Sequence, residues 1–235
     1  MPDGPAGAAL QAVLFDMDGL LVDTEPLWFE VEHAIMARLG GEWTEQDQRA
    51  LIGGSLYRSV DYLIGRATRQ ASRDQVAGWL TEGMADLLAE REVEAMPGAL
   101  ELLAEVRAAG IPTALVTSSE RVIMEAVLDS LARHDITFEV TVCGQDVRYP
   151  KPHPEPYLRA AALLGAEPRF CVALEDSPNG VAAAEAAGCV TVAVPGLAPI
   201  AARQGRLVAA SLAHVDLDLL NSLVADAAAT ASPPG

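Results

Sequence analysis

The first regular feature of the chain is a short apolar run, Ala12–Phe15, that ends at Asp16. An uninterrupted apolar run of this kind, followed by polar residues, is typical of a buried strand. From residue 98 onward, further strand-like runs alternate with helical patterns. The predicted strands are 112–117, 138–143, 170–174 and 189–194, and the predicted helices are 98–109, 119–131, 155–164 and 178–187. This alternation predicts βαβ units and a parallel sheet that is covered by helices on both faces.

The segment 26–92 has a different pattern. It contains all three tryptophans and many charged residues, and its apolar residues recur at helical spacing, as in Leu27, Val31 and Ile35. We predict three or four helices and no strand in this segment. Because it follows the first predicted strand directly, we interpret it as an inserted cap.

The predicted fold class is therefore α/β, with a Rossmann-like parallel sheet as the core and an α-helical cap domain inserted in it. The core domain is assigned to 11–25 and 93–210, and the helical cap domain to 26–92. Residues 1–10 and 225–235 are expected to be flexible termini, because chain ends are ordered only where something holds them.

The acidic balance of the chain narrows the classes of partner. The 235 residues include 33 Asp and Glu against 16 Lys and Arg, which gives a formal net charge of −17. Binding to nucleic acid depends on clustered positive charge, so neither nucleic acid nor an anionic membrane is expected as a partner. A phosphorylated ligand would be repelled on average. A site for one must therefore provide local positive charge through a metal, a lysine and backbone amides.

The three cysteines, Cys143, Cys171 and Cys189, lie in or beside apolar runs. Their odd number and their placement predict buried, reduced thiols. The N-terminus lacks the pattern of a signal peptide, and no apolar stretch approaches the roughly 20 residues of a membrane helix. We expect a cytoplasmic protein that is a monomer, with a dimer as the alternative.

Polar residues with chemical potential follow the predicted strands. These residues are Asp16 and Asp18 after the first strand, Thr117 and Ser118 after the second, Lys151 beyond the third, and Glu175 and Asp176 after the fourth. Ligands of a parallel sheet bind at the carboxyl ends of its strands, so we expect these side chains to meet at one edge.

Four carboxylates at one edge require a cation. Their hard oxygen atoms, with no His or Cys among them, favour Mg²⁺ over Zn²⁺. With the cation and Lys151 in place, the cluster would receive a phosphoryl group, and a carboxylate nucleophile would form an aspartyl-phosphate intermediate.

The order and spacing of these residues resemble the haloacid dehalogenase superfamily. The run from Asp16 to Glu25 is similar to its first motif, and Thr117, Lys151 and the run 175–177 are similar to its second, third and fourth motifs. The resemblance spans about residues 11–196. The helical insertion is similar to the cap of the subgroup that includes β-phosphoglucomutase-like phosphatases.

The resemblance implies a role for each motif residue. Asp16 would be the nucleophile and a Mg²⁺ ligand, and Asp18 would be the general acid and base and would bind the metal through its backbone carbonyl. Thr117 and the Ser118 amide would hold a phosphate oxygen, and Lys151 would bridge Asp16 and the phosphoryl group. Asp176 with Glu175 would complete the metal site.

Two differences from members of this superfamily restrict the activities that we expect of the chain. Dehalogenases lack the second aspartate of the first motif, so Asp18 disfavours dehalogenation. β-Phosphoglucomutases carry a histidine shortly after that motif, where this chain has Glu25-Pro26-Leu27-Trp28. We therefore expect a phosphatase for a small phosphorylated metabolite such as a sugar phosphate. A phosphomutase is the alternative of the same class, and a metal-binding regulatory protein is the non-enzymatic one.

The predicted cap offers candidates for substrate binding in one loop. Gly53, Gly54 and Ser55 would form a specificity loop facing the core, and Arg58 would bind a second phosphate or a sugar hydroxyl. A plain turn between helices and a solvated arginine are the alternatives for this segment.

Overall fold

The computed structural model describes residues 9–132, 136–203 and 205–231. It contains six strands: β1 Ala12–Phe15, β2 Thr113–Val116, β3 Val140–Val142, β4 Cys171–Glu175, β5 Val190–Ala193 and β6 Arg206–Val208. Its α-helices are α1 Glu25–Arg38, α2 Glu45–Arg49, α3 Leu56–Arg66, α4 Arg73–Glu90, α5 Ala99–Ala108, α6 Arg121–Leu131, α7 Glu155–Leu164, α8 Pro178–Ala186 and α9 Leu217–Ala231.

The strands form a single parallel sheet in the order β3-β2-β1-β4-β5-β6. All residues of β1, β2 and β4 are buried, as expected for strands that are covered on both faces. The sheet and its helices confirm the predicted α/β fold class. The predicted strand ends differ from the observed ones by one or two residues, the usual uncertainty of element boundaries.

The sheet order determines where the functional residues lie. β1 lies between β2 and β4, and Phe15 is in register with Leu115 and with Leu174. The residues that follow these three strands therefore emerge at the same edge. The Asp16 backbone N–H donates to the Leu174 carbonyl at 3.0 Å, which anchors Asp16 at the centre of that edge.

The helices α1–α4 lie between the first two strands, and the described residues of 26–92 contain no strand. α1 and α3 both pack against α4, with Val60, Leu63 and Leu80 fully buried between them. Thr44 and Ser72 form capping boxes that start α2 and α4. The division into core and cap at residues 26 and 92 stays a prediction.

The C-terminal region differs from what we expected. The prediction misses β6, whose three half-buried residues include Arg206 and make no apolar run. We expected a flexible terminus from residue 225, but α9 continues to Ala231, because its Leu220 and Val224 are buried one helical turn apart. At the other end, Leu10 is buried, so the expected flexible segment 1–10 is too long by at least this residue. Residues 1–8 and 232–235 lie outside the described part of the chain.

Among the described residues, no helix has both the length and the apolar character that crossing a bilayer requires.

Candidate active site

Lys151 lies buried between two acidic residues of neighbouring strands. Its Nζ donates to Asp16 Oδ1 at 2.6 Å and to Glu175 Oε1 at 2.6 Å. A third bond, at 2.8 Å, goes to the Val116 carbonyl at the end of β2, so all three ammonium donors are used. Burial alone would lower the pKa of Lys151, but the charges of Asp16 and Glu175 more than offset this and raise it. The lysine is therefore a fixed positive charge at the end of β1.

The carboxylates around this lysine are not fully compensated. Burial, first of all, and then the charge of Glu175 raise the pKa of Asp16 to about 7, although Lys151 acts in the opposite direction. Burial and the charges of Asp16 and Glu175 likewise raise the pKa of Asp176 well above its usual range. One ammonium thus faces more negative charge than it can neutralise.

This arrangement fits a divalent cation. Carboxylate oxygens of Asp16, Glu175 and Asp176, all buried, lie within 4.8 Å of one another. Oxygen-only ligands suit hard cations. The absence of a side chain at Gly19 keeps the space beside the Asp176 carboxylate free, because a Cβ at this position would overlap that carboxylate. Of these three carboxylates, Glu175 accepts the most hydrogen bonds, since Tyr157 and, at 3.3 Å, Ser177 Oγ donate to it in addition to Lys151.

Asp18 lies on the cap side of Asp16 and accepts four side-chain hydrogen bonds. Thr24 Oγ1 at 2.6 Å and Trp28 Nε1 at 3.2 Å donate to its Oδ1. Ser119 Oγ at 2.8 Å and Thr117 Oγ1 at 3.3 Å donate to its Oδ2. Because all four atoms donate, the carboxyl group is held in one orientation as an acceptor. Among the described residues, the carboxylate of Asp18 is not part of the group that could hold a metal ion, which consists of Asp16, Glu175 and Asp176.

Three of these four partners, Thr24, Trp28 and Ser119, were not predicted as site residues. From the sequence, Trp28 had no assigned role in the site, whereas its indole N–H donates to Asp18 and the residue lines the pocket over the site. Ser119 directly follows the predicted pair Thr117 and Ser118. The run of three hydroxyl residues at the end of a strand could have indicated that Ser119 also belongs to the site. Ser118 Oγ is buried and has no hydrogen-bond partner among the described residues, so it is free to bind a ligand.

The predicted specificity loop contacts the core. Gly53, Gly54 and Ser55 line the same pocket as Asp16, Asp18 and Lys151. Asn179 Nδ2, near the start of α8, donates to the Gly53 carbonyl at 3.1 Å. This loop therefore lies over the edge of the sheet, and its role as a specificity loop stays a prediction.

Arg58 does not take part in this arrangement. Its guanidinium is exposed and donates to the Ala50 carbonyl at 2.9 Å, and the residue does not line the pocket. The structure thus corrects the expectation that Arg58 faces the substrate. The cause is local, because Arg58 lies on the outward side of the first turn of α3, while Leu56 and Ser59 face the pocket.

The cap side of the pocket is acidic, which sequence reasoning missed. Glu25 and Glu32, both on α1, line it together with Gln48 of α2. Glu32 is only 3% exposed. Their spacing of seven residues indicates a shared helix face, but it does not tell which surface that face meets.

Comparison with known proteins gives consistent matches. The model of the haloacid dehalogenase-like hydrolase family matches residues 10–188. Hexitol phosphatase B of Escherichia coli is 35% identical over 215 residues, which cover 91% of this chain and 94% of that protein. A phosphorylated carbohydrates phosphatase of Thermotoga maritima is 34% identical over 181 residues, with coverages of 76% and 82%. A structure of CbbY from Rhodobacter sphaeroides in complex with xylulose-(1,5)bisphosphate superposes with a TM-score of 0.81 at 28% identity, covering 90% of this chain and 99% of that one.

Proposed function

The chain belongs to the haloacid dehalogenase-like hydrolases and is a phosphatase of that family, and from this premise we propose that it hydrolyses small phosphorylated carbohydrates through a phosphorylated Asp16, with Mg²⁺ as its cation. The similarity to phosphatases named for hexitol phosphates and phosphorylated carbohydrates supports this substrate class. The observation that carries the proposal is the convergence of Asp16, Asp18 and Lys151 at one edge of the sheet, below a cap loop.

In the first step, a carboxylate oxygen of Asp16 attacks phosphorus and the bond from phosphorus to the ester oxygen breaks. Lys151 lies 2.6 Å from Asp16 and favours the anionic form that attack requires. Asp18 gives a proton to the departing alkoxide, which leaves as the neutral alcohol. To do so, Asp18 must first carry a proton, and one of the hydroxyls of Thr24, Thr117 and Ser119 then turns to accept from it, while Trp28 still donates.

In the second step, water attacks the phosphorus of the Asp16 phosphate, and Asp18 accepts a proton from that water. The acyl–phosphate bond breaks, inorganic phosphate leaves, and the Asp16 carboxylate is restored. Asp18 serves both steps, first as the acid and then as the base. The hydroxyls of Thr117 and Ser118 bind phosphoryl oxygens from the β2 side, and the unpartnered Ser118 Oγ supports this role.

The cluster of Asp16, Glu175 and Asp176 would hold the cation, together with the backbone carbonyl of Asp18. When bound, Mg²⁺ supplies positive charge that neutralises phosphoryl oxygens during the transfer. Oxygen-only ligands support Mg²⁺ over Zn²⁺. Three buried free cysteines agree with a reducing compartment, so a cytoplasmic location is part of the proposal.

A screen of phosphorylated metabolites with and without Mg²⁺ tests this function. We expect inorganic phosphate from carbohydrate monophosphates only when the cation is present. Glucose 1-phosphate separates the alternative of a phosphomutase, which would form glucose 6-phosphate without net release of phosphate. Absence of turnover for every phosphate ester would contradict the proposal.

A further inference from the structure

A second cavity reaches the active site beside the pocket that lies over Asp16. Among the described residues, Gly19 and Asp176 line this second cavity but not the pocket. The residues next to them in the chain, Asp18 and Ser177, line the pocket instead. Consecutive residues of these two loops therefore face different cavities, and the loops themselves form the wall between the two.

The carboxylate of Asp176 is directed toward the second cavity. A Cβ at Gly19 would overlap its Oδ2, and a Cβ at Gly196 would lie 3.2 Å from the same atom. Both glycines line the second cavity, so Oδ2 lies between two residues that leave it accessible from there. Asp176 is only 3% exposed, and the three hydrogen bonds of Lys151 all go to other groups. A buried carboxylate that no lysine contacts is suited to receive a cation from the cavity that it faces.

The two cavities differ in size. The pocket over Asp16 has a volume of about 70 Å³, and the cap loop at Gly53 lies over it. The second cavity has a volume of about 550 Å³, and its rim is open to solvent at the exposed residues Asp23, Pro26 and Leu197. Mg²⁺ gives up its water reluctantly and keeps several water molecules in protein sites. A hydrated cation therefore passes more easily through the second cavity while the cap covers the pocket.

The two cavities also differ in charge. Lys151 lines the pocket and makes it suitable for an anion. The rim of the second cavity carries Asp23 and Glu45. Among the described residues that line this cavity, Arg49 is the single basic one, and it is paired with Glu45 at 3.4 Å. Negative charge at the mouth of a cavity attracts cations and repels phosphate esters.

A hydrogen-bonded pair of the cap separates the two cavities on the side away from the sheet. Glu25 and Gln48 line both of them. Gln48 Nε2 donates to Glu25 Oε2 at 3.0 Å and to the Glu25 carbonyl at 2.8 Å. Direct passage of an ion from one cavity to the other on this side would have to break these bonds.

We propose that the second cavity is an entrance site for a hydrated divalent cation, which reaches and leaves Asp176 through it without passing through the substrate pocket. The inference rests on the proposed cation site of Asp16, Glu175 and Asp176 and adds the route to that site. The anionic substrate and the cation then approach from different cavities, so the cation exchanges while the cap covers the pocket.

The test measures cation exchange in the absence of substrate. Mn²⁺ is the probe, because it favours the same oxygen ligands as Mg²⁺. Stopped-flow release of Mn²⁺ into a chelating dye gives the dissociation rate constant, and equilibrium titration gives Kd. Leu197→Trp narrows the mouth of the second cavity, and Asp23→Lys reverses a charge on its rim. Leu56→Trp and Glu120→Lys are the matched controls, because they change the lining of the substrate pocket in the same two ways.

We expect Leu197→Trp to lower the association and dissociation rate constants by the same factor, about threefold or more, because an obstacle on a route slows both directions and leaves Kd unchanged. Asp23→Lys should lower the association rate constant by about three- to tenfold, and by less at high salt, since its charge acts by steering the cation. The two control variants should leave both rate constants unchanged.

The inference is overturned if Leu56→Trp slows both rates and Leu197→Trp does not, because the cation then passes through the substrate pocket. A change of Kd in Leu197→Trp without a proportional change of both rates also overturns it, since this indicates an altered site. Unchanged rates in Leu197→Trp do the same. Asp23→Lys, an exposed substitution, decides if the tryptophan variant does not fold. If the wild-type chain binds Mn²⁺ no better than Asp176→Asn, the proposed cation site itself fails, which is a distinct result.

Discussion

Asn179 of the core donates a hydrogen bond to the carbonyl of Gly53 in the cap, with 3.1 Å between Nδ2 and O. Gly53 has a φ of 64°, and a Cβ at this position would overlap the Ser177 side chain. The contact therefore depends on a residue without a side chain, in a left-handed conformation that other residues adopt only with strain. It fixes the cap loop over the carboxyl end of β4.

Gly53→Ala should prevent this close approach of loop and core. We expect kcat/KM for carbohydrate phosphates to fall more than tenfold, because an open loop admits water and loses substrate contacts. Gly65→Ala is the control, since a Cβ there meets nothing within 4 Å and alanine favours the helix α3. Steady-state kinetics of the two variants checks this. Equal activities would show that the contact with Asn179 is not needed.

Lys151→Met should destabilise the protein as well as inactivate it. The change leaves the carboxylates of Asp16 and Glu175 buried without the Lys151 ammonium group. Removing one partner of a buried ion pair typically lowers the free energy of unfolding by about 3–5 kcal/mol. Urea unfolding in EDTA measures the free energy. Arg91→Met breaks the exposed pair of Arg91 with Glu30 and should change the free energy of unfolding far less, because solvent screens an exposed ion pair. If the Lys151 variant were as stable as this control, Lys151 would not stabilise the buried carboxylates of Asp16 and Glu175.

Glu32 should make the stability of the protein depend on pH. Its pKa is about 8 in the folded protein and 4.5 when unperturbed, so between these values the folded state keeps a proton that the unfolded state has lost. The free energy of unfolding therefore falls as pH rises through this window, by up to about 1.4 kcal/mol per pH unit. Glu32→Gln removes the contribution of Glu32 to this dependence, whereas Asp16 and Glu25, whose pKa values are also raised, keep theirs.

Urea unfolding at pH 5, 6.5 and 8 checks the sign. The Gln variant should gain stability relative to wild type as pH rises, whereas Glu82→Gln, an exposed substitution, should follow wild type. Parallel curves for Glu32→Gln and wild type would show that the Glu32 carboxyl is not buried in the protonated form.

Trp28→Phe tests whether orientation of Asp18 matters for protonating the leaving group. The change keeps an aromatic ring and removes the Nε1 donor at 3.2 Å. We expect kcat for alkyl phosphates to fall roughly two- to tenfold, the effect of one hydrogen bond. p-Nitrophenyl phosphate should be less affected, because its phenolate leaves without a proton. Trp79→Phe, whose ring lies against Arg38, is the control. Equal losses for both substrates would assign Trp28 to packing alone.

The core of this fold was predictable because its signals are local. The apolar run Ala12–Phe15 and its counterparts define the strands, and a parallel sheet brings their carboxyl ends together. Asp16, Asp18, Lys151 and Asp176 could therefore be placed at one edge without a structure. β6 was missed because this strand is only three residues long and includes Arg206. α9, in contrast, has apolar residues at helical spacing, such as Leu220 and Val224, and this local signal was overlooked.

The cap side of the site was not predictable by the same means. Helical spacing shows that Glu25 and Glu32 share a face of α1, but the docking of the cap on the core decides that this face meets the pocket. The same docking brings Trp28 to Asp18 and leaves Arg58 outside. These contacts join residues of two layers, and no periodicity along the chain encodes them.

The most direct test of the central claim identifies the phosphorylated residue. Asp18→Asn is incubated with acetyl phosphate and Mg²⁺, because loss of the base should slow hydrolysis of the intermediate more than its formation. The sample is quenched in acid, reduced with borohydride, which converts an aspartyl phosphate to homoserine, and analysed by peptide mass spectrometry. We expect homoserine at position 16 and none in the Asp16→Asn, Asp18→Asn double variant. Homoserine at another position, or its absence from position 16 while the wild-type chain hydrolyses acetyl phosphate, would contradict the assignment of Asp16 as the nucleophile.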